Sequence, residues 1–414
     1  MKNVNVETIV KDLQLSLPTK DSSSFNYERI LLVDNTPYLD AFIENIENKD
    51  KVFPPFEIEI QMSSKCNLQC RWCIGDELQE KNYVMRLPNH INNDNIDNIV
   101  DGIINFQIDG LGIEIVKFSG FIGEPLVTKE ATIKAIQRLV GAGKKVGLFT
   151  NGVLIDENTC RTLVNIDYVH ISLDADPTSF FWFKESHKDT YTQETFEMVI
   201  NNIRNLSTAR ANQCNRSRLR INIGYVVVPG NHDKIYKTAR LVKKAGADSI
   251  RFKCDIGERY VLKGTKEFEK AIQQIEKIKQ NLECPTFTVH TIHSEEDIEK
   301  GTYKDWQCKY GCFFHNFLGT IGSSGNIYLC DHNTMPGGIP LGNALNDPLE
   351  KIWRSERRKY LIDGIRYLCQ SSVCPPFGNR ANFFLKQIYE LTIQHGAFFM
   401  KEVIKELKNI YINE

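Results

Sequence analysis

Short runs of Val, Ile and Phe alternate with longer amphipathic stretches from Phe53 onward. Short β-branched runs between turn residues are typical of strands, and apolar residues spaced three or four apart are typical of helices. The pattern predicts strands at Phe56–Met62, Ile113–Ser119, Lys145–Thr150, Tyr168–Leu173, Leu219–Val228 and Ser249–Cys254. It predicts helices between them, including Asn93–Phe106, Lys129–Ala142, Gln193–Leu206 and Asp233–Ala245. Since βα units connect parallel strands by right-handed crossovers, we expect an α/β fold built on a partial (β/α)6 TIM-like barrel.

The pattern changes after Lys263, where a helix at Glu267–Gln280 and an extended segment at Cys284–Ile292 are predicted. Phe317–Ile321 and Asn326–Leu329 flank a Gly-Ser-Ser-Gly turn and predict a β-hairpin. Later helices are expected at about Pro348–Ile365, at Asn382–His395 and at the end of the chain. The chain thus divides into an N-terminal extension with two short helices (1–52), the barrel (53–262), a connecting helix and strand (263–300), a small C-terminal α+β domain (301–380) and C-terminal helices (381–414).

Composition narrows the class of protein. Apolar residues make up 42% and charged residues 25% of the 414, as in globular chains, so bulk disorder is excluded. The 51 basic residues balance 52 acidic ones, which argues against a nucleic-acid partner. No apolar run approaches the roughly 20 residues of a membrane span, and the N-terminus is too charged for a signal peptide. We therefore expect a cytoplasmic protein with no membrane partner.

Twelve cysteines are unusual for such a chain, because a reducing compartment disfavours disulfides and clustered thiols there indicate metal binding or catalysis. Four of them stand apart and are interpreted as small buried apolar residues: Cys160, Cys214, Cys254 and Cys284. Three others, Cys66, Cys70 and Cys73, follow the first predicted strand with C-x3-C-x2-C spacing. Three thiolates in one loop can hold a [4Fe–4S] cluster by three irons and leave the fourth iron open. A structural zinc site would need a fourth ligand, and this loop offers none.

Polar turns follow the next strands. The second is followed by Gly123, Glu124 and Pro125, where a glycine allows close backbone approach and a carboxylate and carbonyls face a ligand ammonium. The third ends in a turn containing Asn151, which we place at the barrel mouth as a further cofactor contact.

The fourth strand carries a possible ribose site. Strand alternation would place His170, Ser172 and Asp174 on one face. A hydroxyl and a carboxylate two residues apart suit the diol of a ribose. We interpret His170 as a hydrogen-bonded barrel residue rather than a base.

These motifs resemble those of the radical S-adenosylmethionine (radical SAM) superfamily over about residues 54–260. Its C-x3-C-x-aromatic-C motif is matched by the three cysteines with Trp72 as the aromatic residue. Its Gly-Gly-Glu-Pro motif is matched by 123–125, with Ile122 replacing the first glycine. The resemblance implies that a reduced [4Fe–4S] cluster on the catalytic cysteines binds S-adenosylmethionine and cleaves it. The 5′-deoxyadenosyl radical so formed abstracts a substrate hydrogen, with a flavodoxin- or ferredoxin-type protein as the electron donor.

A second cysteine group lies near the C-terminus. Cys312 and Cys330 bracket the predicted hairpin, and Cys369 and Cys374 follow after a helix. This arrangement resembles the auxiliary-cluster region called SPASM, or its shorter form, twitch, and the thiol count implies one auxiliary [4Fe–4S] cluster. A zinc Cys₄ site is the alternative, and Cys308 is a surplus thiol that either replaces a ligand, stays free or belongs to a further site. We expect Asn379 and Arg380 to anchor the loop of this cluster.

Further polar residues are predicted inside the barrel. Lys117 and Ser119 share one face of the second strand, and Arg251 and Lys253 share one face of the sixth. Arg251 is a candidate cofactor contact, and with Lys253 it could bind a carboxylate, a phosphate or a polar sugar. An internal ion pair with Asp174 or Asp255 is the alternative. Alternation places Cys254 on the helix side, which disfavours it as a hydrogen-atom donor.

Three functions follow from these residues. The leading hypothesis is a radical SAM oxidoreductase that oxidises or epimerises a small polar or carbohydrate-like metabolite with the help of the auxiliary cluster. The second is a maturase that crosslinks or epimerises a ribosomally made peptide. Against it, an extension of about 50 residues is short for a leader-binding domain. The third, an iron–sulfur electron carrier, gives no reason for a nucleoside pocket.

Overall fold

The computed structural model describes residues 6–14, 27–73, 91–120, 123–180, 184–185, 193–213, 217–254, 265–291, 312–334, 338–364 and 376–413.

A ten-stranded sheet organises the described part of the chain. Its strands are β1 Glu57–Gln61, β2 Ile115–Ser119, β3 Lys145–Thr150, β4 Tyr168–Ser172, β5 Arg220–Val227, β6 Ser249–Cys254, β7 Thr288–Thr291, β8 Leu318–Ile321, β9 Asn326–Tyr328 and β10 Gly342–Asn343. Their order is β7-β6-β5-β4-β3-β2-β1-β8-β9-β10, and the sheet does not close. All pairs from β7 to β8 are parallel, whereas β9 and β10 are antiparallel to their neighbours. The six predicted barrel strands and their parallel order are confirmed.

The hairpin of the predicted C-terminal domain is part of this sheet. Its first strand, β8, pairs in parallel with β1, with Glu59 opposite Thr320. Gly325 closes the β8–β9 turn with a φ of 82°, a conformation that favours glycine. The hairpin of the second cysteine group is therefore hydrogen-bonded to the first barrel strand.

The helices of the described chain connect and cover these strands. The α-helices of five residues or more are α1 Val6–Gln14, α2 Thr36–Glu47, α3 Ile96–Asn105, α4 Lys129–Gly141, α5 Glu157–Leu163, α6 Gln193–Ala211, α7 Ile235–Ala245, α8 Lys266–Leu282, α9 Leu349–Trp353, α10 Glu356–Asp363, α11 Pro376–His395 and α12 Ala397–Asn413. A short helix at Tyr27–Arg29 continues into a π-helix at Ile30–Asp34. Gly246, with a φ of 94°, ends α7 at the predicted Gly-containing turn. None of the described helices is long and apolar enough to cross a bilayer.

The single helix predicted at about Pro348–Ile365 is wrong, since two helices occupy this stretch. The first, α9, ends at Trp353, and Ser355 then caps α10 by accepting a hydrogen bond from the Arg358 amide. The first amides of a helix have no carbonyl partner within that helix, and a serine hydroxyl at the N-cap satisfies one of them. Such a cap therefore marks the start of a new helix.

Alternation along the strands gives the sheet two different faces. One face is apolar, with buried residues such as Val116, Ile171 and Ile223, and it belongs to the same core as the apolar sides of the covering helices. The other, here called the inner face, carries polar residues on most barrel strands, whereas β3 presents Gly147 and Phe149 there. A parallel sheet covered by helices on one side and polar on the other provides a cavity for a polar ligand.

A second core joins the two ends of the chain. It contains Leu13 of α1, Phe42 of α2, Phe384 of α11 and Leu407 of α12. The indole Nε1 of Trp353 donates a 2.8 Å hydrogen bond to the carbonyl of Phe53, which fixes the start of the barrel to α9. The helices before β1 thus pack against the C-terminal helices, while the domain boundaries stay predictions.

Candidate active site

The first three cysteines lie in one loop directly after β1. Its Gln69–Cys70 segment pairs with Lys184–Glu185, and the Cys73 amide donates to the Cys70 carbonyl at 2.9 Å. Cys66, Cys70 and Cys73 are all half-buried and none forms a disulfide. The loop is therefore at the carboxyl end of a parallel strand, where ligands of such sheets bind.

Donors from two segments point at the sulfur of Cys66. The Leu68 amide lies 3.4 Å from Cys66 Sγ, and Nδ2 of Asn151 lies 3.7 Å from it. The same Asn151 amide donates to Asn67 Oδ1 at 2.7 Å. Donors around a thiolate stabilise its negative charge, as iron–sulfur ligation requires. The loop thus fits a [4Fe–4S] cluster, and the predicted cofactor contact Asn151 lies at the cluster loop.

Glycine allows the turn after β2 to reach this loop. A Cβ on Gly123 would lie 2.0 Å from the Ser63 carbonyl oxygen, and one on Gly120 would lie 1.8 Å from the Gly123 carbonyl oxygen. The Glu124 amide donates to the Lys65 carbonyl at 2.9 Å, beside Cys66. The close backbone approach expected of this motif is present, while Ile122 lies outside the described residues.

The Glu124 carboxylate is buried and engaged by protein donors. Its Oε1 accepts from the Leu126 amide at 3.1 Å and from Thr150 Oγ1 at 2.7 Å. Its Oε2 accepts from the Asn151 amide at 2.8 Å. These bonds join the turns after β2 and β3, and Pro125 begins a short 3₁₀ turn that Glu124 caps. The predicted contact of this carboxylate with a ligand ammonium stays a prediction.

The expected common face of His170, Ser172 and Asp174 is wrong at its third member. Strand β4 ends at Ser172, and Asp174 has a φ of 55°, so alternation does not extend to it. Its Oδ1 accepts a 2.7 Å hydrogen bond from the Val226 amide, which fixes the end of β4 to β5. Ser172 is half-buried and Asp174 is buried. Their part in ribose binding stays a prediction.

Acidic residues of β1 pair with β2 on the inner face. Lys117 Nζ lies 2.6 Å from Glu57 Oε1, and the Tyr27 hydroxyl donates to the same oxygen at 2.9 Å. The Ser119 hydroxyl donates to Glu59. Burial, and then the nearby Asp331, raise the pKa of Glu59 to about 7, against the influence of Ser119 and Lys117. Glu57 and Glu59 were not predicted as site residues, although their alternation with Ile58 and Ile60 is the signal that places them on this face.

Basic residues occupy the opposite part of the inner face. Arg251 and Lys253 alternate with the buried Ile250 and Phe252, as predicted. Burial, and then Arg251, lower the pKa of Lys253 to about 8. Burial, and then Lys253 and Arg251, hold the pKa of His170 well below its usual value, so this imidazole is neutral. The side chain of Cys254 lies outside the described residues.

Two members of the second cysteine group are described. Cys312 precedes β8, and burial raises the pKa of its thiol against the opposing influence of the backbone amides of His315 and Phe314. Cys330 follows β9, and its Sγ lies 3.1 Å from Asp331 Oδ1. Two half-buried thiols on either side of one hairpin suit cluster ligands. Cys308, Cys369 and Cys374, and the side chains of Asn379 and Arg380, lie outside the described residues.

Asn382 anchors this loop, and it was not predicted. Its Oδ1 accepts from the Phe313 amide at 2.6 Å and from the Phe314 amide at 3.2 Å, so α11 holds the segment that carries Cys312. The signal in the sequence is a single polar residue among the apolar residues of 381–385. In the structure this asparagine is fully buried.

Comparison with known families decides the class of protein. Residues 60–242 match the family model of the Radical SAM superfamily, and residues 312–375 match that of the SPASM iron–sulfur cluster-binding domain. The chain has a radical SAM domain followed by a SPASM domain. The radical SAM domain implies a [4Fe–4S] cluster and S-adenosylmethionine, and the SPASM domain implies auxiliary iron–sulfur binding. Both parts of the predicted resemblance are confirmed.

A curated relative and solved structures are consistent with this result. An uncharacterised protein of Methanocaldococcus jannaschii is 26% identical over 153 residues, which are 36% of this chain and 43% of that protein. The crystal structure of Streptococcus suis SuiB bound to precursor peptide SuiA matches with a TM-score of 0.56 and 16% identity, covering 89% of this chain and 82% of that one. Native anSMEcpe with bound AdoMet and Cp18Cys peptide matches with a TM-score of 0.53 and 17% identity, covering 86% and 100%. At these identities the structures support the fold.

Proposed function

We propose that this radical SAM enzyme cleaves S-adenosylmethionine and modifies a peptide residue held against the inner face. The observation that carries the proposal is the parallel pairing of β8 with β1. It brings Asp331, the neighbour of Cys330, close enough to Glu59 to raise the pKa of that carboxyl. In this proposal both cysteine groups lie near the inner face, and a substrate held there would have access to both.

The residues have distinct roles in this proposal. Cys66, Cys70 and Cys73 would hold the catalytic [4Fe–4S] cluster, and Cys312 and Cys330, with Cys369 and Cys374 outside the described residues, would hold an auxiliary one. When bound, the cluster and S-adenosylmethionine would supply the radical chemistry for hydrogen abstraction. Asn151 and Glu124 orient the loop of Cys66, and the polar inner face orients the substrate. The covering helices keep water from the opposite face of the sheet.

A peptide substrate is favoured over a metabolite by the comparisons. SuiB has been crystallised with its precursor peptide and anSMEcpe with a peptide, and their folds extend over most of this chain. The sheet is not closed, which leaves a side for an extended ligand to enter. This reverses the order of the two enzymatic hypotheses drawn from the sequence.

Oxidation or epimerisation of a small polar metabolite is the second candidate. It is supported by Arg251 and Lys253 on the inner face, because two cations in a mostly buried position suit a carboxylate or phosphate. An electron carrier is disfavoured, since the radical SAM domain implies a bound nucleoside that a carrier does not need.

The proposal is tested by anaerobic reconstitution with iron and sulfide, followed by incubation with S-adenosylmethionine, reductant and peptides encoded by short reading frames beside the gene. We expect 5′-deoxyadenosine together with a peptide that has lost two hydrogens or has gained deuterium from D₂O. The Cys66/Cys70/Cys73→Ala variant is the control and should give neither product. Formation of 5′-deoxyadenosine with phosphorylated or carboxylated metabolites and with none of the peptides would favour the second candidate. No 5′-deoxyadenosine under any condition would contradict both.

A further inference from the structure

A buried arginine lies in the SPASM domain, and the described residues pair no anion with it. Arg358, at the start of α10, is 5% exposed. Among the residues that the structure describes it forms no ion pair, and its Nε has no hydrogen-bond partner. Burial alone lowers its pKa to about 9, so the guanidinium is still charged at neutral pH. An uncompensated charge in such a place costs several kcal/mol in general, which calls for an anion nearby.

The described neighbours of this guanidinium are uncharged. One of its NH₂ groups donates to Asn316 Oδ1 at 3.2 Å, and its Cζ lies 4.1 Å from the centre of the Trp353 ring. Burial, and then Arg358 itself, lower the pKa of the His315 side chain to about 3, so this imidazole is neutral. These contacts position the arginine but supply no negative charge.

A cluster bound at Cys312 could supply this negative charge, because Cys312 lies on the same short segment as His315 and Asn316. His315 and Asn316 follow Cys312 within one short turn, so the residue that receives the hydrogen bond of Arg358 lies on the segment that carries this thiol. Asn382 and the capped start of α10 hold this segment and the arginine in place. A thiolate-ligated cluster carries a net negative charge that increases by one when it takes up an electron.

We propose that Arg358 compensates the charge of the auxiliary cluster built on Cys312 and raises its reduction potential. Arg358 is then a positioning and electrostatic residue that does not contact the substrate. The charge of the guanidinium lowers the free energy of the reduced cluster more than that of the oxidised one, because the reduced cluster is more negative. This inference rests on the assignment of Cys312 as a cluster ligand in the proposed function.

The test measures the auxiliary cluster alone. In the Cys66/Cys70/Cys73→Ala background, the reconstituted full-length protein is titrated with dithionite and followed by electron paramagnetic resonance. We expect Arg358→Met to shift the midpoint to a more negative potential, with about a tenfold change in the ratio of oxidised to reduced cluster at a fixed potential. Arg358→Lys should retain most of the wild-type midpoint. Arg354→Met is the matched control, because this exposed arginine pairs with Glu350 one turn away and should leave the midpoint unchanged.

Each outcome supports or contradicts the electrostatic role of Arg358. An unchanged midpoint in Arg358→Met, or equal shifts in Arg358→Met and Arg358→Lys, would overturn the charge role and leave a packing role on Trp353. If Arg358→Met takes up no iron while Arg358→Lys does, the charge is needed for assembly and the proposal holds. If neither variant takes up iron, the residue is structural and the proposal fails. Retention of the cluster signal in Cys312→Ala would instead contradict the ligand assignment, and with it that part of the proposed function.

Discussion

The backbone amide of Asn151 donates to Glu124 Oε2 at 2.8 Å, while the side chain of the same asparagine lies 3.7 Å from Cys66 Sγ. One residue therefore connects the turn after β3 to the turn after β2 and to the cluster loop. The position of the Cys66 thiol depends on a carboxylate that is far from it in sequence. Glu124 thus positions the loop that carries Cys66.

Glu124→Ala should destabilise the fold and weaken cluster binding. The substitution leaves the donors on Leu126, Thr150 and Asn151 without their acceptor, and buried unsatisfied donors cost about 1–3 kcal/mol each in general. We expect a lower midpoint in urea unfolding and lower iron content after reconstitution. Glu157→Ala is the control, since the Glu157 side chain is 84% exposed. Wild-type stability and iron content in Glu124→Ala would show that the three bonds are dispensable.

Gly123→Ala should prevent assembly of the catalytic cluster. The added Cβ would lie 2.0 Å from the Ser63 carbonyl oxygen, and backbone cannot move away as the end of a flexible side chain could. The cluster loop would have to shift, so we expect loss of the iron bound by Cys66, Cys70 and Cys73 and of 5′-deoxyadenosine formation. Gly141→Ala introduces the same group at a position with no atom within 4 Å and should behave as wild type. Full activity in Gly123→Ala would mean that the two turns are less tightly packed in solution.

The barrel and the cysteine loop could be predicted because their signals are local. Six apolar runs determined the strands, and C-x3-C-x2-C placed three thiols in one loop. Asp174 was misplaced because alternation says nothing about where a strand ends, and the left-handed turn there has no distinct signal in an aspartate. The pairing of β8 with β1, and the shared core of Leu13 and Leu407, join residues far apart in sequence. Such contacts depend on packing between whole elements, which no single segment specifies.

Glu59→Gln should stabilise the protein at alkaline pH and have little effect at acidic pH. Because burial and Asp331 raise the pKa of Glu59 to about 7, the folded state retains a proton that the unfolded state loses near the usual value of 4.5. The folded state is thus penalised above pH 7, and the penalty disappears as the pH falls toward 4.5. Glu57 also raises this pKa, whereas Ser119 and Lys117 lower it. We expect the variant to gain of order 1 kcal/mol in unfolding free energy at pH 8 and almost nothing at pH 5.

Urea unfolding of wild type and Glu59→Gln across this pH range checks the sign. Glu157→Gln, at an exposed ion pair with Arg161, should show no such growth with pH. A Glu59→Gln effect that is equal at pH 5 and pH 8 would mean that the carboxyl titrates normally in the folded protein.

Replacing one cysteine group should leave the other centre intact. If each group holds its own [4Fe–4S] cluster, the reconstituted protein should contain about eight irons, and Cys66/Cys70/Cys73→Ala about four. Cys330→Ala should lose the auxiliary signal in electron paramagnetic resonance but still form 5′-deoxyadenosine, because the proposed function assigns cleavage of S-adenosylmethionine to the cluster held by the loop after β1. Cys160→Ala is the matched control, since this buried thiol on α5 belongs to the apolar core and should change neither iron content nor spectrum. Loss of all iron in either variant would show that the two groups share one centre, and zinc in place of iron at Cys330 would show that the second site is structural.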